Sequence, residues 1–200
     1  MLEPTTTITD YILAAECLLL GVLLFRPGQT ASRLWGLAFF AVAVAAVAGG
    51  TFHGFSNRIS PVGNGTLWKI AVYAIGLTSL LMLASAFIVG TSPPLRQWLL
   101  AAASMQFILY AVWMANHNDF RFVIYNYLPA MIGVLLLQIL GNPHSGRHWI
   151  VGGILLSFVG AGIQRSGITF HPYFNYNDLY HVVQMGAMYL LYRGGLLFSR

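Results

Sequence analysis

The stretch "LWGLAFFAVAVAAVAGGTFHGF", residues 34–55, carries no lysine, arginine, aspartate or glutamate and a single imidazole. An apolar run of roughly 18 or more residues is long enough to cross a bilayer as a helix. Six further nearly uncharged runs follow the same pattern, at 8–25, 67–89, 98–115, 122–140, 149–164 and 178–198. Composition agrees: of 200 residues, 58% are apolar and 8% charged, against about a quarter charged in soluble chains. Mean hydropathy is +0.71. The connections leave no room for a soluble domain. The sequence therefore predicts an all-α integral membrane protein, a single seven-transmembrane-helix bundle over residues 1–200.

The connections carry turn chemistry. "RPGQTAS", "SNRISPVGNG", "GTSPPL" and "GNPHSGRH" hold Pro and Gly that stop one helix, and Ser or Thr that can cap the next. "NHNDFR" is polar but lacks both. "RSGITFHPYFNYN" is the longest and is rich in aromatics, as expected for a belt at a membrane boundary. Pro129 falls inside the fifth run, where neighbouring helices can accommodate it. "MLEPTTTITD" has no basic region ahead of its apolar stretch, which argues against a cleaved signal peptide.

In a seven-span arrangement Arg26, Arg33, Arg96, Arg147, Arg193 and Arg200 fall on one side, and Arg58, Lys69, Arg121 and Arg165 on the other. The positive-inside bias then puts the N-terminus outside and the C-terminus in the cytoplasm. Short loops are consistent with a multi-pass protein of a prokaryotic cytoplasmic membrane. The net charge of +5 is explained by this topology, and no basic face interleaved with aromatics suggests a nucleic-acid partner.

Ionisable groups inside spans are costly, on the order of 2.5–3.5 kcal/mol at the bilayer centre, and are functional candidates for that reason. Glu16 lies about two turns into the first helix, and His53 closes the second. Ala46, Gly49 and Gly50 share a stripe with His53. Small residues of this kind pack helices closely and also leave space beside an imidazole. His117 ends the fourth helix, on a face with Gln106, Tyr110 and Trp113. In "NYNDLYHVVQM", residues 175–185, Asn177 and Asp178 suit a helix start. His181 and Gln184 lie inside that helix, where capping does not account for them. Alternating helix direction brings His53, His117 and His181 to one membrane face. The reading is a polar outward-facing cavity lined by Asn177, Gln184, Tyr110 and Trp113. Neutral imidazole is the commonest metal ligand, and three protein ligands with an open position define a hydrolytic zinc site.

Seven helices, a histidine closing helix 2 and another early in helix 7 resemble the membrane hydrolase superfamily of alkaline ceramidases and adiponectin/progestin receptors. The resemblance implies zinc, with His53 and His181 as ligands and His117 or Asp178 as the third. The helix 1 stretch "DYILAAE" is similar to the ceramidase helix 1, which implies Glu16 at a calcium site. The pattern departs in three places: Gly49 stands where a serine is expected, Asn177 and Met185 flank His181 where a second histidine would stand, and no acid lies near helix 3.

Three functions follow. The first is a zinc-dependent hydrolase of a lipid amide or ester that enters from the bilayer, with Glu16 or Asp178 as general base. The second is a haem protein with His53 and His181 as axial ligands. The third is a non-catalytic receptor or accessory protein that binds a lipid-like small molecule. A retinal protein is excluded, because the only lysine, Lys69, is not in the last helix.

Overall fold

The computed structural model describes residues 1–26, 29–169, 171 and 173–198. The described residues form seven helices: α1 (Pro4–Leu23), α2 (Thr30–Phe55), α3 (Pro61–Gly90), α4 (Pro93–Asn116), α5 (Arg121–Leu140), α6 (Arg147–Ser166) and α7 (Tyr176–Gly195). Proline in the first turn starts α1, α3 and α4, where its missing N–H costs nothing. Ser60 caps α3 by accepting from the Gly63 N–H at 3.2 Å. Gly167, at φ +66°, ends α6 in the left-handed conformation that glycine adopts without a Cβ penalty.

The connection without Pro or Gly is closed by side chains instead. Lys69 of α3 reaches the end of α4 and donates to the carbonyls of Met114, Ala115 and His117. Asp119 accepts from the backbone N–H and Nε of Arg121 at 2.9 and 2.8 Å. Those hydrogen bonds hold its carboxyl below the usual range.

Among the described residues, six helices are long and apolar enough, by length and composition, to cross a membrane; α7 is not among them. α7 nevertheless runs antiparallel to α6 along its whole length. Gly146 meets Gly194, Gly153 meets Leu191, and Gly160 meets Tyr180.

The packing order is a ring. α1 lies against α2, α2 against α3, α3 against α5, α5 against α6, α6 against α7, and α7 closes on α1. α4 stands outside, touching only α3 and α5. Its outer face is unburied, with Leu109 and Val112 63% and 65% exposed. Apolar surface there costs nothing in lipid, since the bilayer is as apolar as a core.

α1 and α2 approach closely at two levels. Gly21 and Gly36 meet at one end. At the other, Gly50 lies on Asp10 and Tyr11, and Gly54 on Thr7. Gly50 and Gly54 form a small-xxx-small step, which lets helix backbones meet. The small-residue stripe of α2 is therefore a packing surface, as its composition suggests.

Candidate functional site

The α1, α2 and α7 ends meet around His181. α1 begins at Pro4, so "TTTITD" is helical and Thr6, Thr9 and Asp10 share one face at i, i+3 and i+4. All three are buried. Thr9 Oγ1 lies 2.8 Å from His181 Nδ1, and Asp10 Oδ1 lies 3.2 Å from His181 Nε2. The imidazole is thus held at both nitrogens by one helix. The other oxygen of Asp10, Oδ2, is buried and has no hydrogen-bond partner. It faces Gly49, where a Cβ would stand 3.7 Å away. The missing side chain leaves a slot beside a carboxylate oxygen.

Asp178 is held differently. Its Oδ1 accepts from Thr6 Oγ1 at 2.8 Å, and its Oδ2 from the Asn175 N–H at 2.6 Å. Asn175 caps the same helix through its own side chain. This reciprocal capping box fixes the start of α7 and ties it to α1. At the rim, His53 Nδ1 pairs with Glu3 Oε2 at 3.0 Å, and the Leu2 N–H donates to the Gly54 carbonyl at 3.1 Å. Asp10 and His181 lie within electrostatic range of Asp178, and of Glu3 and His53 respectively.

The polar residues of α7 divide between two neighbours. Asp178 and His181 face α1. Asn177 accepts from Gln164 at 3.3 Å, and Gln184 donates to Ser157 at 3.3 Å, both on α6. The α4 residues lie elsewhere. His117 is at the same end of the bundle, yet its ring stacks on Trp113, with centroids 4.0 Å apart, and α4 makes no contact with α1, α2 or α7. Tyr110 donates to the Val72 carbonyl at 2.8 Å. Glu16 is half-buried on α1, with Oε2 unpartnered, about 9 Å along the helix from Asp10 at 1.5 Å per residue.

Among the described residues no three His, Cys, Asp or Glu side chains come together as a metal-holding group. His53, His117, His181 and Asp178 are not gathered as a three-ligand set for zinc. Nor does His181 present a free ring nitrogen to haem iron, since both meet α1.

Thr9 and Asp10 are the site residues that the apolar pattern missed, because they stand at the start of the first apolar run, ahead of the more deeply placed Glu16. A signal was present. Positions 6, 9, 10, 13, 17, 20 and 24 follow helical spacing, and every one is buried.

His144, between α5 and α6, is structural. The Gly146 N–H donates to its Nδ1 at 3.2 Å, so Nε2 carries the hydrogen and donates to Gln138 Oε1 at 2.6 Å. Burial, then the charge of Arg147, lowers its pKa.

No curated protein matches the chain. No solved structure matches it either. Residues 5–199, the whole bundle with its α1/α2/α7 site, match the family of unknown function DUF6962, and the chain belongs to that family.

Proposed function

We propose that the protein is a membrane-embedded hydrolase of lipid amides or esters, with Asp10 as general base and His181 as its partner. The observation that carries this is Asp10 Oδ2, a buried and unpartnered oxygen beside the Gly49 slot. Leaving such an acceptor unsatisfied costs about 1–3 kcal/mol, more for a charged group. A water held there recovers that cost and becomes a nucleophile. It attacks the substrate carbonyl carbon while Oδ2 takes its proton. Collapse of the tetrahedral intermediate breaks the bond to the alcohol or amine, which leaves with that proton. Thr9 Oγ1 donates to the Thr6 carbonyl at 3.0 Å and lies 2.8 Å from Nδ1, while Nε2 meets Oδ1.

α7 is the seventh span in this reading, since it follows α6 from end to end. A seventh span and the arginine distribution support a site on the outer side. A lipid reaches it from the bilayer.

The test is hydrolysis of long-chain lipid esters and amides by purified protein in detergent or nanodiscs. His181→Gln, which removes the ring that holds Asp10 Oδ1, loses about 10–150-fold, a hydrogen bond to a charged group being worth roughly 1.5–3 kcal/mol. Thr9→Val, which keeps shape but removes the hydroxyl, loses about tenfold, a hydrogen bond being worth roughly 1 kcal/mol; Thr9→Ser restores it. Folded wild type that turns over no ester or amide in the panel overturns the reading.

A further inference from the structure

An open groove of about 800 Å³ lies at the same end of the bundle, between the end of α2, the first turns of α3 and Asn118. Phe52, Trp68 and Tyr73 form its apolar wall, and Asn64, Lys69 and Asn118 its polar end. Its volume is within the range of small-molecule sites, which are mainly apolar with a few polar groups. Phe52 joins groove and site. Its ring centroid lies 6.4 Å from that of Trp68 on one side and 6.3 Å from that of His53 on the other. His53 is one turn beyond Gly49, which faces Asp10.

We infer that this groove seats the long acyl chain of a membrane lipid whose amide or ester lies on the His53 side. The inference rests on the hydrolase reading for the chemistry at Asp10, but the binding stands on the groove alone. Aromatic side chains supply broad apolar contact to a chain. Chain length is therefore selected in the groove, apart from the reacting atoms.

Gly65 gives a clean probe. It lines the groove, and a Cβ added there meets nothing within 4 Å. Gly65→Phe adds a ring to the groove lining from a position where its Cβ is unobstructed. The full chain in nanodiscs is labelled with a long-chain fatty acid bearing a diazirine. Saturable labelling of the peptides holding Phe52 and Trp68 is expected, reduced at least fivefold in Gly65→Phe and unchanged in Asp10→Asn. In turnover, Gly65→Phe slows long-chain substrates about tenfold relative to short-chain ones. Labelling that does not saturate, or is equal in Gly65→Phe and wild type, means bulk bilayer lipid only and overturns the groove. Gly65-dependent labelling without any turnover upholds the groove and removes the hydrolase. Turnover lost in Asp10→Asn with chain-length preference untouched by Gly65→Phe does the reverse.

Discussion

Asp10→Asn abolishes measurable turnover while the protein stays folded. The amide matches the carboxylate in shape and can still meet His181, but it cannot take a proton from water at Oδ2. The expected loss is about 10²–10⁴-fold, the range for removing a general base. Stability moves the other way. Asp10 is buried, with Asp178 and Glu3 in electrostatic range, and a carboxylate is costly in a membrane interior. The Asn variant therefore unfolds at the same or a higher temperature in detergent. Lost activity with gained stability marks a group kept for chemistry rather than for folding. Turnover within tenfold of wild type would remove Asp10 from the mechanism.

Gly49→Ser examines the same oxygen from α2. A Cβ there makes only ordinary contact, 3.7 Å from Oδ2, so serine fits. Its hydroxyl can donate to the unpartnered oxygen, a hydrogen bond worth about 1 kcal/mol net, or up to 3 with a charged acceptor. Melting temperature rises and turnover falls, because the slot is filled. A serine that leaves turnover unchanged would place the reacting water elsewhere.

Gly50→Val acts on the packing of α1 against α2. A Cβ at Gly50 would lie 2.8 Å from Asp10 Cβ and 3.1 Å from the Tyr11 ring. Asp10 Cβ is rigidly attached to α1 and cannot yield, so the helix itself must move out. Overpacking of this kind costs typically 1–3 kcal/mol. The displacement carries Thr6, Thr9 and Asp10 away from α7, so function is lost together with packing. Cys17, the chain's single cysteine, reports the movement. It is fully buried on the same helix, and a maleimide should label it at least tenfold faster in Gly50→Val. Gly162→Val, where added atoms meet nothing within 4 Å, leaves labelling at the wild-type rate. Equal rates in all three proteins would mean that α1 and α2 are not held by this contact.

The helices themselves were written locally. Seven apolar runs, prolines in first turns, Gly167 at the end of α6 and the Asn175–Asp178 start of α7 each depend on residues a few positions apart. The all-helical class with seven helices followed from them, and so did His181 as a residue that capping does not explain. What only the tertiary structure decided is which faces meet. In a bilayer, lipid is as apolar as a protein core, so an apolar face does not say whether a neighbour or a lipid covers it. The face of α4 holding Tyr110, Trp113 and His117 had polar residues at helical spacing, yet α4 stands outside the ring against α3 and α5. Asn177 and Gln184 had the same spacing as His181, yet they turn to α6. Asp10, six residues before the more conspicuous Glu16, became the partner of His181 because Gly50 lets α1 lie against α2 while Thr6 and Asp178 tie it to α7. Sequence determines local backbone and caps because those energies involve near neighbours. The pairing of Asp10 with a residue 171 positions away is set by close approach of three helices, which no spacing along one of them records.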